Sequence, residues 1–130
     1  MDHKNMARIL IAEDEKDIRE LITFTLSFAG HQVTATTNGE EAYLTAQEML
    51  PDLILLDVRM PRMTGFEACE KIKANEKTRQ IPVVFLSAKG QEVEIQTGLN
   101  LGAVEYIVKP FAPEQLAERV GAVLANFGNG

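Results

Sequence analysis

The sequence predicts a doubly wound α/β fold in a single domain. A chain of 130 residues, 45% of them hydrophobic, is long enough for one globular core and too short for two. Stretches of helical periodicity alternate with short apolar runs, which span residues 9–12, 32–36, 53–58, 83–87 and 106–108. Several runs are continuous in hydrophobicity, which is typical of parallel strands covered on both faces. We therefore expect a parallel sheet with right-handed crossovers between two layers of helices.

The first two predicted helices have clear boundaries. The first follows Asp14 and ends at Gly30, and its apolar positions are Ile18, Leu21, Ile22, Phe28 and Ala29. The second begins at Asn38, with Glu41 three residues later as a variant of the capping box, and ends before Pro51.

The remaining three helices differ in the strength of their signals. Thr64 and Glu67 form a full capping-box pattern for the third helix, whose core side carries Phe66, Cys69 and Ile72. The fourth helix, at 91–101, contains Gly98 at a propensity cost of up to about 1 kcal/mol, so we expect it to be mobile. Pro113 suits the first turn of the fifth helix, whose apolar stripe is Leu116, Val120, Val123, Leu124 and Phe127. Residues 1–6 and 127–130 are expected to be flexible ends around a domain at 7–126.

Charge and composition exclude several classes of protein. A net charge of -6 and a pI near 4.9 argue against direct binding to nucleic acid or anionic membranes. The longest apolar stretch, around 83–86, is far shorter than a membrane span. The single cysteine, Cys69, cannot form an internal disulfide, and the sequence shows no secretory signal, so we expect a cytoplasmic protein.

Three acidic residues follow predicted strands. Glu13 and Asp14 come after the first strand, and Asp57 ends the run Leu53-Ile54-Leu55-Leu56. The carboxyl ends of parallel strands meet at one edge of a sheet, so these carboxylates should converge there. Two carboxylates about 4 Å apart repel by roughly 4 kcal/mol at an effective dielectric near 20, so folding alone gives no reason to keep three. Oxygen-only ligands suit Mg²⁺, which usually also binds phosphate oxygens.

Two further polar residues end predicted strands at the same edge. Ser87 closes the fourth run and Lys109 closes the fifth. A phosphoryl group held by Mg²⁺ still needs donors on its other oxygens, and a lysine with a hydroxyl supplies them. The Lys109-Pro110 bond is a candidate for a cis peptide that aims the lysine inward.

These residues, with their neighbours, resemble the receiver domain of two-component response regulators, of the kind found in the chemotaxis regulator. The resemblance runs from about Ala7 to Leu124 and is carried by motifs in the right order and spacing, at 13–14, 57–65, 86–88 and 102–111. It implies a flavodoxin-like three-layer sandwich with the strand order 2-1-3-4-5.

The resemblance also implies a role for each residue. Asp57 matches the aspartate that takes a phosphoryl group from the phosphohistidine of a sensor histidine kinase or a histidine phosphotransfer protein. The Mg²⁺ (or Mn²⁺) ligands would be Glu13, Asp14, Asp57 and the backbone carbonyl of Arg59. Lys109 matches the phosphate-binding lysine, and Ser87 and Tyr106 match the hydroxyl and aromatic residues of the switch.

Other residues and partners follow from the same resemblance. Arg59 and Lys89 occupy variable positions expected to tune the lifetime of the phosphoryl group, whereas His3 and His31 are expected to have no metal or relay role. The partners would be the kinase and a downstream protein or output domain, with a possible homodimer through the face of the fourth helix, fifth strand and fifth helix. Such a chain is a phosphoacceptor with its own phosphorylation and dephosphorylation chemistry rather than an enzyme.

Four other classes of protein share part of this pattern. A haloacid dehalogenase phosphatase needs a second Asp two residues after the nucleophile, where Arg59 stands. A flavodoxin needs a phosphate loop after the first strand, where acidic Glu13, Asp14 and Glu15 would repel the anion. A pseudo-receiver, which only binds other proteins, normally lacks one of the acids or the lysine. The fourth alternative, a receiver fragment of a larger DNA-binding regulator, stays open.

Overall fold

A computed structural model of the protein describes residues 7–88 and 92–127. Its elements alternate strictly between strand and helix, as predicted. The strands are β1 (Arg8–Ala12), β2 (Gln32–Thr36), β3 (Leu53–Asp57), β4 (Val83–Ser87) and β5 (Glu105–Val108). The helices are α1 (Lys16–Phe28), α2 (Gly39–Met49), α3 (Gly65–Ala74), α4 (Glu92–Asn100) and α5 (Pro113–Phe127). Of the expected flexible ends, 1–6 and 127–130, residues 1–6 and 128–130 lie outside the described residues, whereas Phe127 is the last residue of α5.

The five strands form one parallel sheet in the order β2-β1-β3-β4-β5, which confirms the predicted fold. The central strand β3 is buried along its whole length, and so is β4. The register pairs Asp57 with Leu86 and Ser87 with Val108, so the carboxyl ends of β3, β4 and β5 lie side by side. This alignment positions the functional residues.

Two apolar layers hold the helices to the sheet. One layer lies between the sheet and α2, α3 and α4, and it is centred on Phe85, whose ring packs edge-to-face on Phe66 at 5.0 Å. The other lies between the sheet and α1 and α5, with members such as Ile11, Ile22 and Val120. Alternate residues of each strand face alternate layers, because successive side chains of a strand point to opposite faces.

The helix starts follow the sequence signals closely. The Thr64 hydroxyl accepts from the Glu67 amide at 3.1 Å, and the Glu67 carboxylate accepts from the Thr64 amide at 2.9 Å, which completes the predicted capping box. At α2 the Asn38 side chain accepts from the Glu41 amide at 2.8 Å. The Glu41 carboxylate accepts from the Thr37 amide, one residue before the position that a regular capping box uses.

Two apolar stripes differ from the prediction. In α1 the buried residues are Ile22 and Leu26, whereas Leu21 is 40% and Phe28 is 86% exposed. The buried face repeats every four residues, and Leu21 and Phe28 lie off that face; Phe28 instead stacks on Phe24 at 6.3 Å. In α5 the stripe ends at Leu124, and Phe127 is 54% exposed in the last turn.

Gly98 has a packing role that propensity did not reveal. A Cβ at this position in α4 would lie 2.8 Å from Cδ2 of Phe85 and 3.2 Å from Cδ2 of Tyr106. The glycine therefore lets α4 approach β4 and β5 closely. No helix among the described residues is long and apolar enough to cross a membrane.

Candidate functional site

The three predicted acids meet at the carboxyl edge of the sheet. One carboxylate oxygen from each of Glu13, Asp14 and Asp57 lies within 4.8 Å of the others. Glu13 and Asp57 are buried, and Asp14 is exposed to solvent. The loop after β1 is held in place because the Glu13 amide donates to the Thr36 carbonyl at 3.1 Å, while Arg19 donates to the Glu13 carbonyl at 2.9 Å.

Lys109 reaches into this acid cluster, as the sequence predicted. Its ammonium lies 2.9 Å from Oε1 of Glu13 and 3.3 Å from Oδ1 of Asp57, and its side chain is only 10% exposed. The Lys109 amide donates to the Ser87 carbonyl at 2.7 Å, which fixes the lysine beside the end of β4. The Lys109-Pro110 peptide bond is cis.

Without a metal, the surroundings of Asp57 disfavour its charged form. Burial raises the pKa of Asp57 to about 7, the charges of Glu13 and Asp14 contribute to this rise, and Lys109 opposes it. For Lys109, burial lowers the pKa, but the hydrogen bond to Glu13 and the charge of Asp57 outweigh burial and raise it above its usual value. Lys109 is therefore a permanent cation in the site at neutral pH.

The loop after β3 folds back against the strand end. The Gly65 amide donates to the Val58 carbonyl at 2.9 Å, and a Cβ on Gly65 would collide with the Asp57 carbonyl. Only glycine fits this approach, so the predicted motif at 57–65 has a steric basis here. Arg59 lies in this loop, with 59% of its side chain exposed, and its guanidinium is 3.2 Å from Oε2 of Glu94 in α4.

The two predicted switch residues are buried on neighbouring strands. Ser87 ends β4, and Tyr106 lies in β5 opposite Phe85, at 6.2 Å between ring centroids. The Tyr106 hydroxyl donates to Oε1 of Glu94 at 3.3 Å. Burial raises the pKa of Tyr106, a hydrogen bond with Ser87 lowers it, and the charge of Glu94 raises it.

Glu94 is the functional candidate that sequence reasoning missed. It contacts both Arg59 and Tyr106, which are 35 and 12 residues away in the chain. Nothing in the local pattern of α4 distinguishes it from Glu92, so only the three-dimensional arrangement reveals it. Lys89, the second predicted lifetime residue, lies outside the described residues.

The other polar candidates lie away from the cluster. His31 precedes β2, and its Nδ1 accepts from the Ala7 amide at 3.3 Å; burial lowers the pKa of this histidine. Cys69 is buried in α3, as predicted, and burial raises its thiol pKa to about 11. His3 lies outside the described residues.

The residues present fit a hard divalent cation. Three carboxylates against one ammonium leave two excess negative charges, which is the charge that one divalent ion cancels. All the side-chain donors of the acid cluster are oxygens, Glu13 and Asp57 are buried at the carboxyl edge of the sheet, and the exposed Asp14 keeps the site open to water. Mg²⁺ binds in such sites through a few carboxylates while it retains several waters.

Fold and site together define a doubly wound α/β domain with an acidic cluster, a lysine and a hydroxyl at its strand ends. The family model of the response regulator receiver domain matches residues 9–121. Among solved structures, the chemotaxis response regulator CheY4 of Vibrio cholerae superposes with a TM-score of 0.87 at 35% identity, covering 92% of this chain and 99% of that chain. The chain belongs to the receiver domain family of response regulators, and its function is phosphoryl-accepting signalling in a two-component system.

The curated relatives are longer proteins. The phosphate regulon transcriptional regulatory protein PhoB of Pseudomonas aeruginosa is 42% identical over 122 residues, which are 94% of this chain and 53% of that protein. The DNA-binding dual master transcriptional regulator RpaA of Synechocystis is 38% identical over 119 residues, 92% of this chain and 49% of that protein. The chain thus spans about half the length of the curated relatives it matches.

Proposed function

We propose that Asp57 is the residue that accepts the phosphoryl group. The observation that carries this assignment is the position of Asp57 at the end of the buried central strand, with Lys109 3.3 Å from its Oδ1. One carboxylate oxygen of Asp57 attacks phosphorus, and the bond between phosphorus and the donor's leaving group breaks as the new P–O bond forms. The product is an aspartyl phosphate.

The residues around Asp57 would bind the metal ion and the phosphoryl oxygens. Mg²⁺ or Mn²⁺, held by Glu13, Asp14, Asp57 and the carbonyl of Arg59, would supply positive charge that keeps Asp57 ionised and neutralises phosphate oxygens. Lys109 donates to a phosphoryl oxygen from a side chain already fixed in the site. Ser87, buried at the end of β4, donates to another phosphoryl oxygen, and this new hydrogen bond couples phosphorylation to the position of Tyr106.

Labelling with a small phosphodonor tests the assignment. Incubation with acetyl phosphate and Mg²⁺ should add one phosphoryl group by intact mass, and EDTA should prevent it. Asp57→Asn should abolish the addition, whereas Asp17→Asn, the same change at an exposed position in α1, should leave it intact. Label that persists in Asp57→Asn contradicts the assignment of Asp57, and label that is absent from the wild type favours a pseudo-receiver.

The same proposal covers the partners. A sensor histidine kinase or a histidine phosphotransfer protein would supply the phosphoryl group, and a downstream protein or output domain would read the surface of α4, β5 and α5. Exposed apolar residues on this surface, Val93 and Leu99 of α4 and Val108 of β5, suit contact with a partner or with a second copy of the chain. The Arg119–Glu105 ion pair, at 2.7 Å, joins α5 to β5 on the same surface.

Nucleic-acid binding, location and enzyme activity are further properties covered by what we propose. The net charge of -6 supports a receiver that does not itself contact nucleic acid, although the longer relative RpaA is named as a DNA-binding regulator. The single, buried Cys69 supports a cytoplasmic location. The chain is a phosphoacceptor signalling domain with its own phosphorylation and dephosphorylation chemistry rather than an enzyme, since the group that it modifies is its own side chain.

A further inference from the structure

Glu94 connects the loop beside the phosphoacceptor to the switch tyrosine. Its Oε2 lies 3.2 Å from the guanidinium of Arg59, and its Oε1 accepts from the Tyr106 hydroxyl at 3.3 Å. With 21% of its side chain exposed, Glu94 is the less exposed partner of the ion pair. One carboxylate in α4 therefore bonds at once to the loop after β3 and to β5.

We propose that Glu94 is a positioning residue that stabilises the unphosphorylated state through these two contacts, which we call the Glu94 latch. The proposal rests on the proposed function, because it assumes that Asp57 receives the phosphoryl group. Arg59 is two residues after Asp57, in the loop that folds against the strand end through Gly65. The cation of the latch is thus part of the segment that carries the phosphoacceptor.

Phosphorylation weakens the latch by competition for Arg59. The phosphoryl group carries a charge of about −2 and three strong acceptor oxygens, and a guanidinium binds such a group in a bidentate manner. Once Arg59 turns toward the phosphoryl group, Glu94 loses its cation while Tyr106 remains its only latch contact. Because α4 approaches Phe85 and Tyr106 closely at Gly98, a shift of α4 changes the packing of the tyrosine ring directly.

This arrangement predicts the direction of an affinity change. A contact present only in the unphosphorylated state opposes binding of a phosphoryl mimic, so its removal must tighten that binding. Because the Arg59–Glu94 pair is partly exposed, its contribution is that of a surface ion pair. We expect removal of the latch to raise affinity for the mimic about two- to five-fold.

The test is a titration of the whole chain with beryllofluoride and Mg²⁺, followed by amide NMR. Glu94→Gln keeps the size of the side chain and an oxygen that accepts from Tyr106, but it removes the charge that holds Arg59. Its Kd should fall about two- to five-fold relative to the wild type. Glu92→Gln is the matched control, because Glu92 is an exposed residue earlier in α4 with no contact to Arg59 or Tyr106 among the described residues. It should leave the Kd unchanged.

A double-mutant cycle separates the latch from a general charge effect. Arg59→Gln and Glu94→Gln should be non-additive, since either change alone breaks the same pair. Additive effects, an equal gain in Glu92→Gln, or weaker binding in Glu94→Gln would overturn the latch. If the wild type fails to bind beryllofluoride, or Asp57→Asn binds it equally well, the proposed function fails instead, so the two failures are distinguishable.

Discussion

Neutralising Asp57 should stabilise the metal-free protein, and the gain should depend on pH. The pKa of Asp57 is raised from 3.8 to about 7, first by burial and then by the charge of Glu13. A pKa difference of about three corresponds to about 4 kcal/mol, which is an upper bound because water and side chains relax around a charged cluster. We expect Asp57→Asn to raise the free energy of unfolding by about 1–3 kcal/mol at about pH 8 in EDTA.

The sign of the pH dependence follows from linkage. Between about pH 4 and 7 the folded protein holds a proton on Asp57 that the unfolded chain releases, so the wild type loses stability as the pH rises through this window. An amide at this position cannot titrate, and every other carboxylate is common to both proteins. The difference between wild type and Asp57→Asn should therefore be largest above about pH 7 and should shrink steadily as the pH falls towards about 4.

Urea unfolding in EDTA at several pH values between about 4 and 8 measures this difference directly. Asp14→Asn provides a matched comparison, because it removes a charge from the same cluster at an exposed position and should gain less. Added Mg²⁺ should stabilise the wild type more than Asp57→Asn, since a ligand of the native state stabilises by mass action. Equal stability at the alkaline end, or a difference that stays constant across the whole pH range, would refute the reasoning.

The remaining predictions concern the other residues of the site. Lys109→Met should destabilise the metal-free protein by about 3 kcal/mol near neutral pH, because it leaves Glu13 without its buried cation. Urea unfolding measures this loss, and an unchanged free energy of unfolding would mean that the Lys109–Glu13 pair contributes nothing to stability. Ser87→Ala should still accept a phosphoryl group by intact mass, but beryllofluoride should then shift fewer amide signals in residues 92–111; an unchanged set of shifts would remove Ser87 from the switch. Arg59→Asn combined with Lys89→Glu should speed the decay of labelled protein about tenfold, which corresponds to a barrier lower by about 1.4 kcal/mol. The reason is that donors that cover the phosphoryl group are replaced by groups that can orient water. An unchanged decay rate would show that these two residues do not protect the phosphoryl group from hydrolysis.

Most of the fold could be predicted because the pattern that defines it is local. Each strand is a short apolar run, and the connections carry signals such as the cap at Thr64 and the glycine at Gly30. The strand order came from the family resemblance rather than from the residues. The mobility expected for α4 stays a prediction, while its Gly98 has a packing reason that helix propensity does not contain.

The core of the site was predictable for a different reason. Parallel strands place their carboxyl ends at one edge, so Asp57, Ser87 and Lys109 are brought together by the topology alone. No comparable rule predicts which side chains meet where a helix packs against the sheet. The exposure of Phe28 depends on which face of α1 meets the sheet, and the contacts of Glu94 depend on how closely α4 approaches β5.

Charge balance links the acid cluster to the Glu94 latch. With Lys109 and a divalent cation in place, the three carboxylates of the site are formally neutralised. Phosphorylation converts the Asp57 carboxylate into a group that carries about one further negative charge. A cation near the loop after β3 would offset that excess, and Arg59 is a cation of this loop, two residues after Asp57, whose ion-pair partner Glu94 is partly exposed. Excess negative charge at the strand ends therefore destabilises the metal-free protein. After phosphorylation, excess negative charge at the same place draws Arg59 away from Glu94.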